Sequence, residues 1–316
     1  MILLIKQIID VYDLIDSAFI DGSKVASYLK TLGAKHVDVS KFSGEKGSTD
    51  FIKITIPGKN GKLSGGKSPT LGILGRLGGI GARPEKIGFV SDGDGALAAL
   101  AICAKLLDMG SKGDFLDGDV IICTHICPGA PTQPHDPVPF MGSPVDMATV
   151  NAAEVTGDLD AILSIDTTKG NRIINVNGFA ISPTVKEGYI LRVSNDLLNI
   201  MQDVTGQAPN VFALTMQDIT PYGNGLYHLN SILQPSTATD VPVVGVAITT
   251  QAAVPGSATG ASHFVHIEAA SRFALEVAKN FGRNNCAFYD TEEFKLIQRL
   301  YGSMKHLQGF GSNSDI

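Results

Sequence analysis

The sequence predicts an α/β protein, a three-layer αβα sandwich with a mixed, mainly parallel sheet. From residue 87 onward, short apolar runs alternate with helical patterns, which is typical of parallel strands covered by helices. Before that point, extended runs are separated by Gly-rich turns, which are typical of hairpins. A content of 44% hydrophobic and 18% charged residues is that of an ordinary globular chain.

Each predicted element follows from its own pattern. Residues 2–31 are predicted to form two helices with a break near Asp21-Gly22, and extended runs follow at 36–39, 51–56 and 70–74. The alternating part then gives strands at 87–90, 119–125, 161–165, 210–215 and 243–248, short strands within 173–193, and helices at 95–109, 144–155, 194–205, 264–281 and 291–304. We expect one domain over residues 1–308, whose first helices (1–31) also allow an interpretation as an arm, and a disordered tail at 309–316.

Charge and cysteine content restrict the class of protein. A net charge of −6 without a basic stripe argues against a nucleic-acid partner. No apolar run is long enough for a membrane span, and the start lacks the basic residues and cleavage site of a signal peptide. The four cysteines are scattered, which does not suggest a disulfide framework. We therefore expect a cytoplasmic protein with no membrane partner.

The segment Val90-Ser91-Asp92-Gly93-Asp94-Gly95 is the most informative motif. Two carboxylates follow an apolar run and precede a helical pattern, which places them at the carboxyl end of a strand, where open α/β sheets bind ligands. The structural alternative is that Asp94 caps the helix and Asp92 is solvated, since Asp is a favoured N-cap.

Two other motifs are less specific than they look. Residues 61–68 match the phosphate-loop pattern, but Pro69 and an extended run follow instead of a helix, so we predict a turn. Cys123-Thr124-His125-Ile126-Cys127 would place three zinc-type ligands on one strand face. Small cysteines also fill such faces as apolar residues, and His125 alone, at the strand end, is the better candidate ligand or base.

The proline-rich loop at 128–144 carries His135, and long loops without secondary structure are often functional. A later segment carries His263 and His266, three residues apart and therefore on one helix face. The structural alternative for this pair is a capped helix start with solvated histidines.

The order of these pieces resembles the zinc-dependent exopeptidase and deacylase superfamily of the glutamyl-aminopeptidase and acetylornithine-deacetylase type. Asp92-Gly-Asp94-Gly95 is similar to that superfamily's Asp-x-Lys/Arg-Gly, and Asp166 at the end of residues 161–166 is similar to its later acid. The resemblance implies one divalent metal (Zn, Mn or Co). Its ligands would come from Asp92, Asp94, Asp166, His263 and His266.

The sequence departs from the superfamily at two strand ends. Arg76 and Gly78 stand where Gly-His-x-Asp is expected, and Thr124-His125-Ile126-Cys127 has no Glu-Glu pair. One ligand and the usual general base are missing. Residues 75–84 and 124–129 also resemble a bacterial family of unknown function, whose members tend to be associated with amino-acid and peptide uptake or turnover.

Three functions remain open. The first is a metal-dependent hydrolase acting on an amide of a small peptide or acylated amino acid, in which His125 replaces the base. Arg76 and Arg83, with His135, would bind the substrate. The second is a non-catalytic binding protein for a small molecule or peptide on the same scaffold. The third is a haloacid-dehalogenase-like phosphohydrolase that uses Asp92 as nucleophile and Asp94 as acid/base. The Gly-rich segments are compatible with a homo-oligomer.

Overall fold

A mixed sheet of nine strands forms the centre of the part of the chain that the computed structural model describes, residues 4–17, 19–76, 89–134, 136, 138–215, 224–255 and 261–309. The strands are β1 (His36–Gly44), β2 (Gly47–Ile56), β3 (Leu71–Gly75), β4 (Val120–Ile126), β5 (Thr132–Gln133), β6 (Phe140–Met141), β7 (Ala161–Thr167), β8 (Gly178–Ile181), β9 (Val185–Lys186), β10 (Tyr189–Ile190) and β11 (Val243–Thr249). β5 and β6 form a separate small hairpin.

Seven α-helices lie within the same described ranges. They are α1 (Ile5–Ile15), α2 (Gly22–Thr31), α3 (Asp94–Ser111), α4 (Met147–Glu154), α5 (Asn195–Thr205), α6 (Phe264–Gly282) and α7 (Thr291–Tyr301). Several begin at side-chain caps. For example, Asp21 accepts the backbone N–H of Lys24 at 2.8 Å, which satisfies a donor that the first turn would leave free.

The strand order is β1-β2-β4-β3-β7-β11-β9-β10, with β8 also paired to β11. The four neighbouring strands β4, β3, β7 and β11 run parallel, whereas the strands at the flanks pair antiparallel. The predicted mixed α/β fold is therefore confirmed. Because the four central strands run in one direction, their carboxyl ends meet at one edge of the sheet, and this edge positions the candidate site.

Each face of the sheet is covered by its own apolar cluster. On one face, alternate strand residues such as Ile73 and Leu163 pack with helices α1, α3 and α6. On the other face, Leu74, Cys123 and Ile162 pack with irregular chain and the 3-10 segment Ser231–Thr237. Because side chains alternate along a strand, this division fixes which face each residue at the carboxyl edge occupies.

The element predictions hold well, with two differences. Over the described residues, the strand expected at 210–215 is absent, and Val211 makes only an isolated bridge with Ile181. This run stabilises the fold by burying Phe212 and Leu214 on a sheet face. The strand expected at 87–90 lies partly outside the described residues, and Phe89 makes only a single bridge. The predicted tail lies outside them from residue 310 onward.

The phosphate-loop pattern at 61–68 is confirmed as a turn. Lys62–Ser64 form a short 3-10 turn that ends at Gly65, whose φ is +77°. Strand β3 follows it, so the helix N-terminus that would bind phosphate does not come next. All four cysteines are buried free thiols, as expected. Across the helices that the structure describes, none combines the length and apolar character needed to cross a membrane.

Gly95 allows helix α3 to approach the sheet edge closely. A Cβ atom at this position would lie 2.6 Å from the carbonyl oxygen of Ile165 and 2.7 Å from that of Arg76. We predict that Gly95→Ala lowers the free energy of unfolding by about 1–3 kcal/mol, since backbone must move to relieve the overlap. Urea denaturation measures this change.

Gly110→Ala, in the same helix, is the matched control. Its Cβ would lie 3.2 Å from the ring of Phe115, a side chain that is 51% exposed and free to move. We expect this variant to be neutral or more stable by up to about 1 kcal/mol, because Ala favours the helix over Gly. Equal losses in the two variants would contradict the proposed close approach.

Candidate functional site

Four side chains form a line across the carboxyl edge of the sheet. Phe51 of β2 pairs with His125 of β4. Leu74 of β3 pairs with Cys123 of β4 on one side and with Ser164 of β7 on the other. Two residues later in each chain segment, Arg76 therefore lies between His125 and Asp166. Leu74, Cys123 and Ile162 share one face, and alternation places these side chains on that face too. We call Phe51, His125, Arg76 and Asp166 the edge row.

Arg76 is 3% exposed and is bound by side chains of the protein itself. Its Nη1 donates to Oε2 of Glu154 in a short ion pair. Its Nη2 donates to Oε1 of Gln234 at 2.8 Å, and Nη1 also lies 3.4 Å from Oδ1 of Asn151. The guanidinium that was predicted to hold a substrate carboxylate therefore already holds an internal one.

Glu154 closes this buried network from α4, with 1% of its surface exposed. Burial raises the pKa of its carboxyl to about 6, although the positive charge of Arg76 acts in the opposite direction. Its second oxygen, Oε1, is buried and has no hydrogen-bond partner among the residues that the structure describes. Glu154 and Gln234 were not predicted from the sequence, because nothing local distinguishes them from other polar residues.

His125 lies in an apolar environment at the end of β4. It is 2% exposed, its Nδ1 is hydrogen-bonded to Oγ1 of Thr49 at 2.8 Å, and its ring stacks on Phe51 with centroids 5.1 Å apart. Burial, and then the charge of Arg76, lower the pKa of His125 to about 3. A histidine with this pKa is neutral near pH 7 and is a weak base, which disfavours the predicted role of general base.

Asp92 and Asp166 each accept a backbone hydrogen bond. Asp92 lies in the 3-10 turn Ser91–Gly93, and its Oδ2 accepts the N–H of Met141 at 2.6 Å. Oδ1 of Asp166 accepts the N–H of Thr167 at 2.7 Å. The hydroxyl of Thr167 donates to the carbonyl of Ser91 at 2.8 Å, so the end of β7 is bound directly to this turn.

Asp94 is fully buried and forms a second internal ion pair. Its Oδ2 lies 3.0 Å from Nζ of Lys169, and its Oδ1 accepts the hydroxyl of Ser262 at 2.5 Å. Lys169 also donates to the carbonyl of Ala261 at 3.2 Å. Burial raises the pKa of Asp94, while Lys169 opposes the shift. Lys169 and Ser262 carried no sequence signal, and they leave Asp94 without an oxygen for an external ligand.

His263 and His266 lie beside this pair, at the start of α6. Their ring centroids are 5.2 Å apart, and His263 is close enough to lower the pKa of Asp94. Burial lowers the pKa of His266, and its Nδ1 is buried with no hydrogen-bond partner in the described part of the chain. We call Asp94, Lys169, Ser262, His263 and His266 the α6 cluster.

The predicted metal ligands do not form one site. Across the described ranges, no three His, Cys, Asp or Glu side chains are grouped so that they could hold a metal ion. Asp166 belongs to the edge row, whereas Asp94 is paired with the ammonium of Lys169. The described residues therefore do not fit the metal site that the superfamily resemblance implies. Arg83 and His135, the other predicted substrate-binding residues, lie outside the described residues.

The phosphohydrolase alternative also fits poorly. It requires Asp92 and Asp94 to reach a phosphate from the turn before α3. Asp94 is 0% exposed, with both oxygens occupied by Lys169 and Ser262. An acid/base in this position cannot exchange a proton with a substrate without breaking the ion pair.

Two solved structures share this fold at low sequence identity. A glutaminyl cyclase from an Acidobacteriales bacterium matches with a TM-score of 0.52 and 13% identity, over 89% of this chain and 94% of that one. A cytosol aminopeptidase from Coxiella burnetii matches with a TM-score of 0.51 and 16% identity, over 85% of this chain and 68% of that one. At these identities, the likeness extends to the peptidase-like α/β fold and no further.

Searches by sequence place the chain in a family. No curated protein matches it significantly. A family described as "Protein of unknown function (DUF1177)" matches residues 40–311, which include the edge row, the α6 cluster and all of the sheet except the start of β1. The resemblance to a family of unknown function is thereby confirmed, and the chain belongs to the DUF1177 family.

Proposed function

We propose that this protein binds a small peptide or an N-acylated amino acid at the carboxyl edge of its parallel strands, beside the edge row. The observation that carries the proposal is the register, which aligns His125, Arg76 and Asp166 on one face. Ligands of open α/β sheets bind at this edge. Buried polar groups reduce stability unless they are paired, and their concentration here favours a functional role.

The ligand class is inferred from the fold and the polarity of the edge. The two similar structures are named as a glutaminyl cyclase and an aminopeptidase, and this supports a ligand built from amino acids. An amide presents one donor and one acceptor, and an acylated amino acid adds a carboxylate. Asp166 can accept a hydrogen bond from an amide N–H.

Binding is favoured over turnover because the groups that could activate water are already engaged. His125 has a pKa of about 3, whereas an efficient general base has a pKa near the working pH. Asp94 is held by Lys169 and Ser262. Neither His125 nor Asp94 is therefore poised to take a proton from water.

Metal-dependent hydrolysis of an amide is the second candidate. Its one support is that His263 lies near Asp94 and beside His266 at the start of α6, although the described side chains are not grouped as metal ligands. A divalent ion bound there would have to displace the ammonium of Lys169, whose charge repels it. The two candidates therefore differ in what happens when Lys169 is removed.

We expect N-acetylalanine or dialanine to bind with 1:1 stoichiometry in isothermal titration calorimetry. We predict that Asp166→Asn weakens this binding about ten-fold or more, since hydrogen bonds to charged groups contribute roughly 1.5–3 kcal/mol. Asp13→Asn, at an exposed position on α1, makes the same chemical change away from the edge and should bind normally. Absence of binding by both N-acetylalanine and dialanine would contradict the proposal. Hydrolysis of either compound that requires Zn²⁺, Mn²⁺ or Co²⁺ would establish the second candidate instead.

Lys169→Met tests the ion pair in the α6 cluster. It leaves the buried carboxylate of Asp94 without its cation, so we predict a loss of about 3–5 kcal/mol in the free energy of unfolding. Lys59→Met is the control, because Lys59 is 55% exposed in its ion pair with Asp117 and should contribute little. If Lys169→Met instead keeps its stability and binds Zn²⁺ more tightly than the wild type, the metal candidate gains and the proposed structural role of Lys169 fails.

His125→Gln tests the burial of the neutral imidazole. Because the pKa of His125 is about 3 in the folded protein and about 6.5 in an unfolded chain, the unfolded state takes up the proton first as the pH falls. His125 therefore contributes stability above pH 6.5 that is lost toward pH 3, at up to about 1.4 kcal/mol per pH unit. Urea denaturation from pH 7 to 4.5 should show a smaller acid-induced loss in His125→Gln than in the wild type.

The exposed residue His306 provides the control for this measurement. His306→Gln should keep the pH dependence of the wild type. Identical pH dependence in all three proteins would mean that His125 is not buried in its neutral form.

A further inference from the structure

A cleft lies between the β1–β2 hairpin and α4, apart from the binding position proposed at the carboxyl edge, which we call the crevice. The cleft has a volume of about 130 Å³, and we call it the hairpin cleft. From β1, its wall includes Asp38, Ser40 and Phe42. From β2 and α4, it includes Phe51, Lys53 and Glu154.

Strand pairing explains why these side chains face the same space. Asp38 is opposite Lys53, and Ser40 is opposite Phe51, in the antiparallel register of the hairpin. Directly opposed residues of an antiparallel pair point to the same side of the sheet. Helix α4 then covers the inner end of this surface and brings Glu154 to it.

The carboxylate of Glu154 provides the first argument for a bound ligand. Its Oε2 is paired with Arg76, but Oε1 is buried and has no hydrogen-bond partner among the described residues. A carboxylate has acceptor positions on both oxygens. A buried acceptor without a partner in the protein is unusual in native proteins and can be satisfied by a bound group.

The other residues that line the cleft indicate the chemistry of the bound ligand. Phe42 and Phe51 meet edge to face, with centroids 5.2 Å apart, and aromatic rings beside a carboxylate suit an ammonium ion. Lys53 lines the same cleft and offers a positive charge to an anion. The volume of about 130 Å³ favours a small ligand.

We propose that the hairpin cleft binds a free α-amino acid with a small side chain. Its ammonium is recognised by Oε1 of Glu154 and its carboxylate by Lys53, while Phe42 and Phe51 enclose the side chain. This site shares Phe51 with the edge row but includes neither Arg76, His125 nor Asp166 in its lining, and it does not depend on the function proposed for the crevice.

Isothermal titration calorimetry with L-alanine tests the proposal on the full chain. We expect saturable 1:1 binding in the wild type and binding at least ten-fold weaker in Lys53→Met and in Ser40→Leu. Ser40 is exposed, so Leu fills the cleft without disturbing the Arg76–Glu154 pair. The matched control is Ser43→Leu, which places the same residue on the opposite face of β1 and should leave the affinity unchanged.

Two further comparisons separate this site from its alternatives. Asp166→Asn should bind L-alanine like the wild type, whereas loss of binding in that variant would assign the amino acid to the crevice and overturn the proposal. Methylamine should bind more weakly than L-alanine, and L-leucine should bind poorly because of its size. Equal affinity for methylamine and L-alanine, unchanged by Lys53→Met, would show a simple amine site and would also overturn the proposal.

Discussion

The buried ion pair between Arg76 and Glu154 is the interaction on which this structure depends. It joins the end of β3 to the last turn of α4, and Gln234 joins the 3-10 segment to the same guanidinium. Both charged side chains are almost completely buried, so loss of either partner would leave an unpaired charge inside the protein. The pair also links the edge row to the hairpin cleft, because Arg76 belongs to the edge row and Glu154 lines the cleft.

A second buried ion pair, between Asp94 and Lys169, neutralises the carboxylate at the start of α3. An ammonium 3.0 Å from the carboxylate neutralises it in place of an external cation. Together, the two pairs place two positive side chains at a sheet edge that the sequence predicts to hold a divalent metal. The protein therefore combines a peptidase-like fold with a polar edge whose two positive side chains are neutralised internally.

The sequence predicts the fold better than the site, for physical reasons. Helices and central strands follow from local periodicity, so α3 and β7 lie within a few residues of their predicted bounds. The ends of parallel strands can also be read locally, which is why His125, Arg76 and Asp166 were each predicted as strand-end candidates. The partner of each charged group cannot be read in this way. Glu154 is 78 residues from Arg76, and Lys169 is 75 residues from Asp94.

Those partners change the roles that a residue type alone suggests. A histidine at a strand end predicts a base, but burial against Phe51 and the charge of Arg76 keep His125 neutral. An arginine predicts a carboxylate-binding group, but the carboxylate comes from α4. Burial and pairing arise only in the folded chain, so a single sequence gives the candidate residues without their protonation states.

The most direct test of the central claim is a crystal structure of the protein with N-acetylalanine bound. We expect the ligand at the carboxyl edge, with its amide within hydrogen-bond distance of Asp166 and with the Asp94–Lys169 pair intact. A ligand bound elsewhere, or a metal ion on Asp94 with Lys169 displaced, would contradict this claim.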